Sequence, residues 1–301
     1  MSPNSAGSSI RTTVDGRELA ISNLDKVFYP ETGFTKGQMI DYYARIAPYM
    51  LPHIVERPLT MHRYPDGVEG QSFFAKHVPT GTPKWIDTVS VPSKENDGPI
   101  EYVMLQDRPS LVWAANMGAI EMHVPLWHTG RRRKLPAPPD QLVFDLDPGE
   151  GTTIVECCTV GVWISELLES QGLECVGKTS GSKGLQLYAR LGGRPTWDKS
   201  RSMAYDIAVQ LEKDHPELVV SNMKRRLRSG KVLIDWSQNH PAKTTVAVYS
   251  LRARSEPTAS TPVTWDEIKE CASKGDPGLL RFTAEQVLDR VEQLGDLFTN
   301  V

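Results

Sequence analysis

One stretch constrains this chain more than any other: Val143-Phe144-Asp145-Leu146-Asp147-Pro148-Gly149-Glu150-Gly151. An apolar run leading into Asp-Leu-Asp reads as a strand, and a strand turns alternate side chains to opposite faces. Asp145 and Asp147 therefore share a face, with Cα atoms roughly 6.6 Å apart, and both carboxylates can reach one divalent cation. Leu146 points the other way, while Val143 and Phe144 anchor the strand in apolar surroundings. Pro148 and Gly149 are expected to stop it at once, which puts the pair at a strand end, where loops build sites. Asp-x-Asp also occurs in plain structural turns, so the triplet needs support from the rest of the chain.

The 301 residues, 39% hydrophobic and 24% charged, suffice for a substantial core in one large domain or two ordinary ones. No apolar run approaches the length of a membrane span, and the small, polar N-terminus lacks the regions of a signal peptide. Residues 1–9 are expected to form a flexible tail and residues 10–301 a single domain of a cytoplasmic protein. Four cysteines, Cys157, Cys158, Cys175 and Cys271, form no CxxC pair, which argues against zinc and against a disulfide framework. A net charge of −3 argues against indiscriminate nucleic-acid binding. Even so, Arg131-Arg132-Arg133-Lys134 and Lys224–Lys231 are concentrated basic stretches, read either as solvated loop charge or as phosphate-binding segments.

Along the chain, residues 17–30 carry an extended stretch. Thr35 with Gln38 forms a capping box for a helix bearing Ile40, Tyr43, Ala47 and Met50, which Pro48 is expected to kink or shorten. Residues 57–106 suggest strands and loops; 108–120 reads as a helix with Pro109 in its first turn, and 121–125 as a short strand. Ile154 to Leu168 has helical spacing, closed by Gly172; strands are expected over 173–178, 185–189, 231–236 and 244–250. Helices are expected over 197–214 and after the Thr283/Gln286 cap. The absence of repeats and long linkers favours one mixed α/β body.

Gly172-Leu173-Glu174-Cys175-Val176-Gly177-Lys178-Thr179 formally fits the P-loop pattern. That motif works only between a strand and the helix whose N-terminus holds the phosphates. Here a helix precedes it, 173–178 is extended, and no helix pattern begins at Thr179, so the match is discounted.

Other features support the acidic pair. Ser180-Gly181-Ser182-Lys183-Gly184 offers small residues, hydroxyls and a charge, the ingredients of a phosphate cradle, though a plain hairpin turn has the same composition. Asp235 ends the apolar run Val232-Leu233-Ile234, an expensive place for a carboxylate without a partner. Lys243-Thr244-Thr245 and Tyr249-Ser250-Leu251-Arg252 add cationic and polar groups downstream. Three carboxylates at strand ends beside a phosphate cradle suit two-metal phosphoryl transfer, with ions about 3.5–4 Å apart. Hard oxygen ligands favour magnesium or manganese over zinc.

The strings HVP-x-W (123–127), VFDLDPGEG (143–151), TSGSKGL (179–185), KVLIDWSQN (231–239) and YSLR (249–252) occur in one order. Together they closely resemble the polymerase domain of the ligase D family, in the archaeo-eukaryotic primase superfamily. The likeness extends upstream through Asn23-Leu24-Asp25-Lys26, Thr35-Lys36, Arg63-Tyr64-Pro65-Asp66-Gly67 and Phe73-Phe74-Ala75-Lys76, and so covers about residues 18–298. The resemblance implies a primase-like core with RRM-like elements in two intimately packed sub-regions. It implies a primase-polymerase of non-homologous end joining that fills gaps and extends broken DNA ends, preferring ribonucleoside triphosphates over deoxyribonucleotides. Its substrate would be gapped or broken DNA with a 5′-phosphate or 3′-overhang, its setting the nucleoid, and its partners a Ku-type end binder and a DNA ligase. Asp145, Asp147 and Asp235 would hold two Mn2+ or Mg2+ ions. Ser180, Gly181, Ser182, Lys183 and Arg252 would hold the triphosphate, with Arg228, Gln238 and Lys76 lining the nucleotide pocket. His123 would meet the sugar and phosphates, where a contact to the 2′-OH favours RNA precursors. Phe74 would stack on a base, with Phe73 beside it in the core, and Phe73 and Arg63 would lie toward the template. Asn23, Lys26 and Lys36 would receive the 5′-phosphate of the downstream strand.

This chain departs from the family pattern at His62, where relatives often carry Lys or Arg, at Gln186, commonly His, and at Val248, frequently Pro. Taken without the resemblance, Phe73-Phe74 reads as a core pair, His123 as an ordinary hydrogen-bonded histidine, and Lys26 and Lys36 as surface lysines. Two rivals stand beside the polymerase. A metal-dependent glycosyltransferase accounts for Asp-x-Asp but for neither Asp235 nor the basic stretches. A non-catalytic DNA-end binding module leaves three costly carboxylates unexplained. The sequence does not decide whether the chain stands alone or is one domain of a longer protein.

Overall fold

The computed structural model describes residues 9–93, 98–130, 135–299 and 301, so the basic stretch 131–134 and residues 1–8 lie outside the described residues. The chain opens with two ribbons, β1 (Ser9–Val14) with β2 (Arg17–Ser22), and β3 (Val27–Tyr29) with β4 (Phe34–Thr35). Helix α1 (Lys36–Ile54) is followed by strands β5 (Thr60–Arg63), β6 (Phe73–Ala75), β7 (Asp87–Val91) and β8 (Ile100–Met104). Then come α2 (Arg108–Asn116), β9 (Ala119–Val124), β10 (Gln141–Pro148), α3 (Ile154–Ser170), β11 (Cys175–Thr179) and β12 (Leu185–Arg190). The last third holds α4 (Trp197–Asp214), β13 (Val219–Val220), β14 (Val232–Asp235), β15 (Thr245–Val246), β16 (Pro262–Val263), α5 (Trp265–Lys274) and α6 (Ala284–Leu294).

Two sheets organise these elements into the expected mixed α/β architecture. The larger, ordered β13-β14-β10-β12-β11-β16, is antiparallel except for the β13–β14 pair. The smaller runs β15-β9-β5-β6. β10 divides its side chains as a pleat must. Leu142, Phe144 and Leu146 enter a core with Ile154, Cys157 and Ile164 of α3, Ile207 and Leu211 of α4, and Ile268 of α5. Val143 on the other face joins a second core, with Tyr188 of β12, α1, α2 and the small sheet. Asp145 and Asp147 share Val143's face, so they look toward the small sheet. The Tyr188 hydroxyl donates to Thr245 Oγ1 at 2.8 Å, and the Lys178 ammonium to the Val246 carbonyl at 3.1 Å, stitching the two sheets together.

Several elements differ from the sequence reading, each for a visible reason. α1 carries the predicted Thr35/Gln38 capping box but is not shortened at Pro48; it runs through Pro48 and Pro52 to Ile54. Its buried face, including Tyr42, Tyr43, Ile46, Met50 and Ile54, continues along the whole length, and this burial outweighs the two hydrogen bonds the prolines cannot donate. α2 stops at Asn116 instead of reaching Ile120, because Gly118 (φ 77°) turns the chain into β9. β10 keeps Pro148, paired with Val232, as its last residue and stops before Gly149. The strand expected over 244–250 is only two residues long, since Ser250 N–H bonds back to the Ala247 carbonyl and Tyr249 adopts φ 64°. Ser9, assigned to the tail, already pairs with Ser22 in β1. β1 and α5 have no counterpart in the sequence reading, although α5 has its own Thr264/Glu267 capping box and a Gly275 cap. Among the described residues no helix is long and apolar enough to cross a membrane.

Candidate active site

Three aspartates meet at one end of the large sheet because β10 and β14 are in register. Asp145 pairs directly with Asp235, with Asp147 two residues further on the same face. Like charges opposite one another in a sheet repel. Burial first, then the Asp147 charge, pushes the Asp145 carboxyl up to about 7, and burial followed by Asp235 raises Asp147. Hydrogen bonds offset part of this cost. Gln186 donates to Asp145 Oδ1 at 3.0 Å, and the Ser237 N–H and hydroxyl donate to Asp235 Oδ1 at 2.9 and 2.5 Å. Gln238 is the most informative neighbour. Its amide nitrogen lies 3.4 Å from Asp145 Oδ2 and 3.2 Å from Asp235 Oδ2, so it spans the two carboxylates as a bridging cation would. Among the described residues, no three acidic, His or Cys side chains are arranged as a ready-made cation cage.

Arginines stand next to the acids. Gly149 approaches the Arg228 carbonyl so closely that a Cβ would sit 1.7 Å from its oxygen, and this contact seats Arg228 at the end of β10. The charges of Arg228 and Arg252 both act on Asp147 and lower its pKa, against the larger effects of burial and Asp235. The buried Arg228 Nε has no hydrogen-bond partner among the described residues, while its Nη2 holds the Met223 carbonyl at 2.6 Å.

The 180–184 loop connects β11 to β12. Gly184 is obligatory there, since a Cβ would stand 2.2 Å from the Leu146 carbonyl oxygen of β10. The loop is not the open N–H cradle that its composition suggested. Ser180 Oγ already accepts from the N–H groups of Ser182 and Gly184 at 3.3 and 3.0 Å, and Gly181 N–H bonds Thr179 Oγ1 at 3.3 Å. The exposed groups are the side chains of Ser182 and Lys183. Arg252 Nη1 donates to the Ser180 carbonyl at 2.5 Å, which ties the loop to the opposite wall. A cavity of about 530 Å³ opens beside the loop, with Thr152, Ser182, Lys183 and Arg281 in its walls.

That wall is the small sheet. His123 and Glu121 lie two residues apart on β9, and His62 of β5 pairs with Glu121. Phe74 of β6 pairs with His62 and stacks on it, ring centroids 4.0 Å apart and planes 15° from parallel. Phe74 is 58% exposed, as a stacking platform should be, but Phe73 is 46% exposed and is not the core residue expected from sequence. β6 is a short edge strand of three residues, and the Arg63 guanidinium lies 5.1 Å from the Phe73 ring. Lys76 is exposed one residue past β6.

Asn23, Lys26 and Lys36 gather at the start of α1, some way along the chain from the aspartates. Lys36 N–H bonds the Lys26 carbonyl at 2.8 Å, and Lys26 N–H bonds the Asn23 carbonyl at 3.1 Å, with Asn23 at φ 57°. Lys26 forms an ion pair with Asp66. The Lys36 ammonium is turned inward to Ser22 O at 2.7 Å and Asn116 Oδ1 at 2.8 Å; burial first, then the Lys26 charge, lowers it to about 8.

Sequence reading missed three contributors. Glu121 sat in a segment read only as a short strand, though Glu-x-His on a strand signals a shared face. Asn116 gave no signal. Lys178 was discarded with the false P-loop, yet its buried ammonium contacts Gln186 Oε1 at 2.5 Å and Ser260 Oγ at 2.7 Å, orienting the amide that donates to Asp145. Thus Gln186, one of the departures from the family pattern, is held on both sides. Another, Val248, is buried in the core around α1.

A large sheet presenting carboxylates at one end, faced by a smaller sheet, defines an archaeo-eukaryotic primase-like catalytic core. The chain belongs to the LigD primase-polymerase domain family, a family of nucleotidyltransferases, whose model matches residues 35–298. The polymerase domain from Mycobacterium tuberculosis ligase D, solved in complex with DNA, is similar with a TM-score of 0.86 and 40% identity, covering 93% of this chain and 96% of that one. The multifunctional non-homologous end joining protein LigD of Mycolicibacterium smegmatis is 42% identical over 277 residues, which are 92% of this chain and 35% of that protein. The bifunctional LigD of Bacillus subtilis is 30% identical over 279 residues, 92% of this chain and 43% of that protein. The chain thus spans well under half the length of these two relatives. Family membership sets aside the glycosyltransferase reading and the non-catalytic one.

Proposed function

We propose that this chain is a template-directed nucleotidyltransferase that fills gaps and extends broken DNA ends during non-homologous end joining, preferring ribonucleotides and using two divalent ions, Mn2+ or Mg2+. Its setting is the nucleoid of the cytoplasm, and a Ku-type end binder and a DNA ligase are its expected partners. The observation that carries the reading is the Gln238 amide spanning Asp145 and Asp235, beside Asp147 and two arginines. A hydrogen-bond donor between two mutually repelling carboxylates stands where a hard cation would fit, and an all-oxygen donor set suits Mg2+ or Mn2+.

Asp145, Asp147 and Asp235 would hold the ions, which when bound supply activation of the attacking 3′-hydroxyl and charge neutralisation at the leaving pyrophosphate. Lys183, Arg228 and Arg252 would neutralise the triphosphate and the Ser182 hydroxyl would hydrogen-bond it, with Ser180 and Gly181 shaping the loop from within. His123 meets the sugar, Phe74 stacks on a base and Lys76 lines the nucleotide pocket, while Arg63 and Phe73 face the template side. Single-nucleotide extension on a gapped duplex, comparing ribo- with deoxyribonucleotides and Mn2+ with Mg2+, tests this directly. Faster ribonucleotide addition with Mn2+ is the expected result; sugar-blind or template-independent addition counts against the reading.

Asn23, Lys26 and Lys36 form the candidate pocket for the 5′-phosphate. A gapped duplex bearing that phosphate should bind about tenfold more tightly at pH 7 than one without it, the scale of a charge-assisted contact. With the Lys36 pKa lowered to about 8, its charge is present below that pH and is lost above it. The phosphate's advantage should therefore shrink between pH 7 and 9, and Lys36→Met should flatten that dependence. Fluorescence anisotropy with both duplexes checks it; equal affinity at pH 7 would remove the pocket.

A further inference from the structure

We propose that Glu121 is a positioning residue of the nucleotide pocket: its carboxylate fixes which nitrogen of His123 carries the proton, leaving the other as an acceptor for the incoming sugar, and holds Arg252 at the phosphate loop, so that sugar selectivity is set from behind the residues that touch the nucleotide. The proposal deepens the polymerase reading above and rests on it.

Glu121 is only 5% exposed, and both of its oxygens are committed. Oε2 accepts from His123 Nε2 at 3.0 Å and lies 3.5 Å from His62 Nδ1. Oε1 accepts from the Ala253 N–H at 3.1 Å and lies 3.1 Å from Arg252 Nε, at ion-pair distance but without hydrogen-bond alignment. One carboxylate therefore joins the sugar-side histidine, the arginine that grips the Ser180 carbonyl, and the histidine on which Phe74 stacks. Burial tends to raise the Glu121 pKa, but the His123 hydrogen bond and the Arg252 charge outweigh it and hold the group well below the usual carboxylate range. Burial, the largest influence on His123, lowers its pKa, which favours the neutral ring.

A neutral imidazole bonded to a carboxylate through Nε2 carries its proton there and leaves Nδ1 as the acceptor. A ribose 2′-OH is a donor that such an acceptor can take, and a deoxyribose lacks it. In Glu121→Gln the amide oxygen is claimed by the Ala253 N–H donor and favoured by the nearby Arg252 charge, which turns the amide NH2 toward His123. His123 must then accept at Nε2 and carry its proton on Nδ1, where it no longer accepts from the sugar.

Two measurements test this. Nitrogen-15 NMR of the histidine rings, on the nucleotide-free full chain, should show the Nε2–H tautomer of His123 in the wild type and the Nδ1–H tautomer in E121Q. In extension assays, the ribo-to-deoxyribonucleotide ratio of kcat/KM should fall about tenfold in E121Q, the scale of one lost hydrogen bond. His123→Ala should give a similar ratio, and the double variant should be no worse, since both changes remove one coupled contact. Glu121→Asp, which keeps the charge, should retain the Nε2–H tautomer and serves if E121Q does not fold. An unchanged tautomer in E121Q, a wild-type ratio, or fully multiplicative effects in the double variant would overturn the proposal. A wild type that adds no nucleotide would instead refute the polymerase reading, and the tautomer would still judge the Glu121 contact.

Discussion

Alanine at Asp145 or at Asp235 should abolish nucleotide addition, by at least about a thousandfold, because on the proposed two-metal reading each would remove an oxygen ligand that no neighbour can replace. Binding to gapped DNA should survive within a few-fold, since the basic and aromatic groups around Arg63, Phe73, Phe74 and Lys26 are untouched. Neutralising Asp145 without changing its shape should reveal what the cluster costs. Asp145 is raised from its ordinary value to about 7, so the folded state holds its proton over a range where the unfolded chain has lost it. The associated stability is present below about pH 4 and is lost as pH rises toward 7. In metal-free buffer at pH 8, Asp145→Asn should therefore melt at a higher temperature than the wild type, and the gap should close near pH 4. Adding Mn2+ should raise the wild-type Tm and leave the variant's unchanged. Thermal scans at two pH values with and without metal read all of this. Extension activity retained by Asp145→Ala would end the metal assignment.

The second large effect concerns the backbone. Gly184→Ala places a methyl group 2.2 Å from the Leu146 carbonyl oxygen, between the two aspartates of β10. Neither backbone can yield without breaking the β10–β12 ladder, so the variant should lose about 3 kcal/mol, at the severe end of overpacking. Gly192→Ala is the matched control, because nothing lies within 4 Å of its added Cβ. Urea unfolding of the two variants separates a specific close approach from a general intolerance of substitution. Equal midpoints would mean that the loop is free to shift.

What could be read in advance follows from where the information lies along the chain. The acidic strand, the α4 limits and the Thr35 and Thr283 caps are local patterns, and period or capping chemistry was enough for each. The ordered motifs added what spacing alone could not, since Asp235 lies far along the chain and meets Asp145 only through β-pairing. Other features depend on which elements become neighbours. Phe73 looked like core because an apolar pair usually is, and only the edge position of β6 exposes it. The loop at 180–184 looked like an open cradle, but the Ser180 hydroxyl takes two of its N–H groups. Lys178 was hidden by a misleading motif, and its meaning appears once Gln186 stands across the ladder from it.

The central claim is that Asp145, Asp147 and Asp235 hold a pair of cations whose position the Gln238 amide marks. The most direct test is a crystal of the full chain with Mn2+ and a non-hydrolysable ribonucleoside triphosphate, measured for anomalous scattering. Two manganese peaks about 3.5–4 Å apart, ligated by the three carboxylates and with the Gln238 amide moved aside, are the predicted result. Nucleotide bound with no manganese at these carboxylates would contradict it.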